Sequence, residues 1–138
     1  MWDTTTEFGQ RIARRLAEEQ IIWLVTTGQD GTPQPSPVWF VWDGATMRIF
    51  TKPDAPKVRN IQARPRIALH FNSDASGGDV IVFLGTAAVD PTTTAAHLLS
   101  AYLAKYGASI PALGMTPEQM GAVYSTAIRV TLTKVRGF

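Results

Sequence analysis

The chain contains no cysteine. That excludes disulfides, a thiolate nucleophile and thiolate metal ligands, so redox chemistry here needs a borrowed cofactor. Histidine is scarce as well. His70 sits in an apolar run that reads as a strand and His97 lies among Ala and Leu, so they lack metal-ligand spacing and no metal site is expected. No motif marks a serine nucleophile. The acids Glu7, Glu18, Glu19, Asp30, Asp43 and Asp90 fall on helix faces, in turns and at caps, where such residues do structural work. No catalytic side chain is therefore expected. Apolar runs fall short of the roughly 18 residues that span a bilayer, and Met1-Trp2-Asp3-Thr4 lacks the basic start and apolar core of a signal peptide. The expectation is a cytoplasmic protein with no membrane partner. A net charge of +2 is too small to make nucleic acid the default partner, and none is expected.

What remains is the composition of an ordinary folded protein, 45% hydrophobic and 17% charged over 138 residues, which fits one domain spanning positions 1–138. Phe8, Ile12 and Leu16 recur every four residues and predict an amphipathic helix between Thr5 and Gln20. Ile21 to Thr27 reads as a strand, closed by the hairpin loop Gly28–Pro33. A second strand is predicted from about Gln34 to Trp42, and Pro35 and Pro37 place its first half at an edge or bulge. Asp43-Gly44 then makes a tight hairpin to Met47–Lys52. Lys57 to Ala63 suits a short helix, ended by Arg64-Pro65. Strands follow over Arg66–Asn72 and Val80–Val89. The second of these is apolar on both faces except near Thr86, which predicts a central position. Asp90-Pro91 signals a helix start, with Ala95, Leu98, Leu99, Tyr102, Leu103 and Tyr106 as its apolar face. Thr116-Pro117 opens another, and Ala127 to Val135 alternates as a half-exposed strand. Six strands joined by consecutive hairpins, with about four helices, predict a mainly β fold, an antiparallel barrel with peripheral helices.

The chemistry concentrates between Ser36 and Asn60. Lys52, Lys57, Arg59, Arg64 and Arg66 face the single acid Asp54. Lys57, Arg59 and Asn60 at a helix start combine side-chain charge with free backbone amides, the donor set that phosphate recognition needs. Thr51 and Lys52 end the strand that leads into this cluster. Trp39, Phe40, Trp42 and Phe50 offer walls for a planar ring, although alternation sends about half of them into the core. Val38, Phe40 and Trp42 share one face of the strand, Trp39 and Val41 the other. Ser36 adds a hydroxyl beside the proline-interrupted ladder.

This order, Thr26-Thr27-Gly28-Gln29-Asp30-Gly31-Thr32-Pro33, Ser36-Pro37-Val38-Trp39-Phe40, Phe50-Thr51, Lys57-Val58-Arg59-Asn60-Ile61 and Arg64-Pro65-Arg66-Ile67-Ala68-Leu69, resembles the pyridoxamine 5′-phosphate oxidase-like split β-barrel superfamily. More narrowly it resembles the actinobacterial flavin/deazaflavin oxidoreductases that use coenzyme F420. The resemblance implies a six-stranded antiparallel split β-barrel of the FMN-binding type. It also implies a homodimer with cofactor sites at the subunit interface, and hydride transfer from the reduced deazaflavin to a small molecule, unsaturated or quinone-like. By position, Ser36, Val38, Trp39 and Phe40 would lie along the ring and its linker. Phe50, Thr51 and Lys52, with Lys57, Arg59 and Asn60, would hold the phosphate and acidic tail. The chain ends in Lys134-Val135-Arg136-Gly137-Phe138, without the C-terminal Arg and His substrate motif of true pyridoxamine phosphate oxidases, which argues against vitamin synthesis. Two alternatives keep the same barrel: an FMN-loaded enzyme, or a non-catalytic barrel that binds a cofactor or haem-related ligand.

Overall fold

The computed structural model describes residues Met1–Phe138. Seven strands form one antiparallel sheet: β1 (Ile22–Thr27), β2 (Pro33–Val38), β3 (Val41–Trp42), β4 (Met47–Thr51), β5 (Arg66–His70), β6 (Ile81–Val89) and β7 (Thr126–Gly137). Their order in space is β2-β1-β5-β6-β7-β4-β3. The two edge strands, β2 and β3, are consecutive in the chain and separated only by Trp39 and Phe40. Two ends of a sheet can be joined so briefly only if the sheet curls back on itself, so the strands form a barrel with one open seam. Four helices decorate it: α1 (Glu7–Glu18), α2 (Pro56–Ala63), α3 (Ser100–Tyr106) and α4 (Pro117–Val123). None is long and apolar enough to cross a membrane.

The split barrel with peripheral helices agrees with the sequence expectation, but the strand count is seven rather than six. The single strand expected over Gln34–Trp42 is two strands with different partners, β2 on β1 and β3 on β4. The break falls at Phe40, whose ring is fully buried. Its backbone N–H donates to the Tyr106 hydroxyl at 2.9 Å, and its carbonyl accepts from that hydroxyl at 3.0 Å and from Lys105 Nζ at 2.9 Å. Side chains of α3 thus satisfy the backbone groups that a ladder would otherwise take.

The prolines behave as the edge rule requires. Thr27↔Pro33, Val25↔Pro35 and Trp23↔Pro37 are facing pairs. Proline cannot donate, so the ladder bonds fall on Gln34, Ser36 and Val38, and the three prolines turn toward the open edge.

The barrel interior is filled from α1 (Ile12, Leu16) and from alternate strand positions such as Leu24, Ile49, Leu69, Phe83 and Ile128. β6 is central, between β5 and β7, but Leu84, Thr86 and Ala88 on its outer face are exposed in this chain. A bulge at Leu84/Gly85 needs glycine, since a Cβ there would meet the Thr131 carbonyl. The helix expected from Asp90-Pro91 does not begin there. Asp90 instead accepts from Thr92 and Thr93 and holds a turn, a 3-10 turn follows at Ala96–Leu98, and α3 starts only at Ser100. Leu98, expected on the buried face, is exposed.

Tyr106→Phe leaves the Phe40 N–H without its acceptor inside the protein. It is expected to lower unfolding stability by about 1–3 kcal/mol, the cost of an orphaned buried donor, as a shifted midpoint with unchanged slope in a urea melt.

Candidate functional site

Trp39 of the seam, Val41 of β3 and Phe50 of β4 meet α3 and the residue before it in a second, smaller apolar cluster with Leu99, Tyr102 and Tyr106. Trp39 stacks flat on Tyr106, with centroids 4.3 Å apart and planes 2° off parallel. Tyr102, one helical turn earlier, meets Phe50 edge-on at 5.4 Å. Between this cluster and the start of α2 lies a cavity of about 270 Å³. Pro37, Val38 and Trp39 from the seam form one wall, and Phe50, Thr51 and Lys57 another. Tyr102, with Leu113, Met120 and Tyr124 from the α3–α4 region, completes it.

Five of the ten residues singled out in the sequence therefore meet here: Val38, Trp39, Phe50, Thr51 and Lys57. The others lie elsewhere. Phe40 is buried in the main core, with Lys105 Nζ 3.5 Å above its ring centroid. Ser36 sits half-buried in edge strand β2. Lys52 is exposed, its ammonium 5.8 Å from the Tyr124 ring centroid and so close to the cavity rim. Arg59 is exposed and donates to the Asp54 carbonyl at 3.1 Å, tying the β4–α2 connection to the helix. Asn60 is buried, and its amide nitrogen donates to Thr26 Oγ1 at 3.1 Å and to Gln34 Oε1 at 3.0 Å. Both amide hydrogens are used in fixing α2 against β1 and the β2 edge. Asn60 thereby positions Lys57 and leaves no side-chain donor for a ligand.

Lys57 is the charged group of the cavity. Its ammonium has no hydrogen bond or ion pair within the protein, and burial pulls its pKa below that of an ordinary lysine. No side chain caps the start of α2, where Pro56 occupies the first turn, so the positive end of the helix lies beside this ammonium. Across the cavity, burial, reinforced by Tyr124, pushes the Tyr102 phenol up to about 12, so it is a neutral donor. A larger hollow of about 470 Å³ on the same outer surface contains Arg48 and Arg129. Both guanidiniums there are already engaged, Arg48 with Asp43 at 2.7 Å and Arg129 with Asp90 at 3.3 Å. The smaller cavity is the one that keeps an unpaired charge.

Tyr102 and Tyr124 were not singled out as site residues. Tyr102 fits the apolar stripe of its helix so well that the stripe alone reads as core. The i, i+4 pair Tyr102 and Tyr106 was the available signal, because a phenol on an apolar face needs a partner for its hydroxyl.

The family model of pyridoxamine 5′-phosphate oxidase matches residues 8–138. No curated protein matches the chain. Among solved structures, an F420 reductase is 26% identical, over 89% of this chain and 94% of its own, with a TM-score of 0.71. A conserved hypothetical protein from Mycobacterium tuberculosis is 20% identical over 95% of this chain and 82% of its own, with a TM-score of 0.73. HutZ, a haem storage protein from Vibrio cholerae, is 13% identical over 96% and 95%, with a TM-score of 0.66. The last two show the shared fold alone.

Two substitutions separate holding the site from occupying it. Asn60→Ala is expected to destabilise the protein by about 1–3 kcal/mol in a urea melt, because it strands the buried Thr26 hydroxyl and loosens α2. Lys57→Met removes an unpaired, half-buried charge and is expected to cause no loss of stability in the same melt.

Proposed function

The chain belongs to the pyridoxamine 5′-phosphate oxidase family, and on that footing we propose that it is an F420-dependent oxidoreductase of the actinobacterial flavin/deazaflavin type, acting on an unsaturated or quinone-like small molecule. The observation that carries this reading is the cavity itself, where the unpaired Lys57 ammonium faces an aromatic wall of Trp39, Phe50 and Tyr102. That pairing suits a planar ring attached to a phosphate. The similarity to an F420 reductase favours the deazaflavin, and the family as a whole supports FMN as the second reading.

Bound in its reduced form, F420 supplies a hydride. The residues of this chain bind and orient. Lys57 and the uncapped first turn of α2 hold the phosphate, and Trp39 and Phe50 confine the ring. Lys52 and Arg59, both exposed, carry positive charge outward for an acidic tail. Leu113, Met120 and Tyr124 form the remaining wall of the cavity. At about 270 Å³ the cavity falls below the roughly 300–1,000 Å³ of sites that enclose a drug-sized ligand. We therefore propose that a second copy of the chain completes the site in a homodimer.

Titration of the protein with F420 and with FMN, read by tryptophan fluorescence, tests the cofactor. Saturable binding of F420 in preference to FMN supports the proposal, and preference for FMN replaces it with the flavin reading. Lys57→Met is expected to weaken the preferred ligand by roughly 1.5–3 kcal/mol, the worth of a hydrogen bond to a charged group. The pH dependence has a defined sign. Because burial lowers the Lys57 pKa, the free protein loses this charge at a lower pH than an ordinary lysine does. Affinity is thus expected to fall as pH rises through that lowered value, and sooner in wild type than in Lys57→Arg.

A further inference from the structure

Two tyrosines one turn apart on α3 are equally inaccessible, Tyr102 at 2% and Tyr106 at 0% exposure, yet their hydroxyls differ completely. Tyr106 accepts from Phe40 N–H and donates to the carbonyls of Gln20 and Phe40. Tyr102 has no hydrogen-bond partner. A buried phenol ordinarily finds one, because the unmade bond costs what the apolar ring gains. Nor is the Tyr102 oxygen sealed in the core. The buried polar side-chain atom without a partner is His97 Nδ1, whereas Tyr102 lines the cavity that also contains Lys57.

The surroundings define what this hydroxyl recognises. Phe50 stands edge-on at 5.4 Å and Trp39 lies 6.3 Å away, so the Tyr102 end of the cavity is walled by aromatic rings, with Tyr124 as the other phenol that lines it. The group suited to an anion is the Lys57 ammonium. A neutral phenol among aromatic rings instead suits an uncharged acceptor lying in the plane of a conjugated ligand. We propose that Tyr102 is the specificity-determining donor of the site, its O–H directed to a conjugated carbonyl oxygen of the bound molecule. Such a carbonyl belongs either to the cofactor ring or to a quinone-like acceptor, and the inference rests on the cofactor reading only for the first of these.

Tyr102→Phe, compared with wild type, tests it by binding rather than turnover. Tyr102→Phe removes no hydrogen bond within the protein, so its melting temperature is expected to stay at the wild-type value, unlike that of Tyr106→Phe. The titrants are F420, FMN and, on the cofactor-loaded protein, menadione. Cofactor binding about threefold to tenfold weaker in Tyr102→Phe identifies the ring carbonyl as the acceptor, since that is the worth of one neutral hydrogen bond. Unchanged cofactor affinity with menadione weakened by the same factor identifies the substrate carbonyl. Equal affinities for all three overturn the proposal, as does a melting temperature lowered as in Tyr106→Phe, which makes Tyr102 structural. If wild type binds neither cofactor, the functional reading fails by itself. Menadione is then titrated into the unloaded proteins, and weaker binding to Tyr102→Phe supports the donor, whereas equal or absent binding removes it.

Discussion

One phenolic oxygen joins three segments of the chain at a single point. The Tyr106 hydroxyl accepts from Phe40 N–H and shares its single proton between the carbonyls of Gln20, just past the end of α1, and of Phe40 in the seam. A curled sheet whose two edges are consecutive in the chain must pass its backbone from one edge to the other at some point, and there neither edge can supply ladder partners. Phe40 makes that crossing with its ring in the core and its peptide groups facing outward onto α3. Lys105, the preceding residue of the helix, adds its ammonium to the same carbonyl and lies over the ring of Phe40. Burial lowers the pKa of this lysine to about 8.

The placement of the candidate site follows from that junction. Once Tyr106 is fixed on the seam, the helical repeat sets Tyr102 one turn away, over Phe50. The space left between helix and sheet is the cavity. Charge within the outer layer is divided on the same principle. Arg48 and Arg129 face each other across β4 and β7, a destabilising pairing by itself, and each is neutralised by its own aspartate. Asp90, which also serves Thr92 and Thr93, is held down at about 2. Lys57 has no such counter-ion.

Much of this architecture was legible in the residues. The alternation of Ile128, Val130 and Leu132, the four-residue stripe of α1 and the Asp43-Gly44 turn each encode their element locally, and each formed as read. Prolines 35 and 37 marked an edge strand correctly. The division of residues 34–42 into two strands was not legible, because it depends on Tyr106, more than sixty positions away. The apparent helix start at Asp90-Pro91 misled for a related reason. An aspartate beside threonines satisfies a turn as readily as a helix N-terminus, and packing decides between them. Within the site, Lys57 and the aromatic strand could be found from type and spacing. Asn60 carries the same donor chemistry as a ligand-binding amide, and only the presence of Thr26 and Gln34 beside it shows that this capacity is already used.

The alternating prolines of β2 have a consequence for how the molecule behaves in a crowded cell. An exposed strand edge ordinarily offers donors and acceptors in turn, and any passing chain can add itself there. At Pro33, Pro35 and Pro37 this edge presents carbonyl oxygens without a single N–H, so an incoming strand would find half of its own hydrogen-bonding groups unanswered. An open barrel could in this way keep its seam accessible without becoming a seed for fibrils.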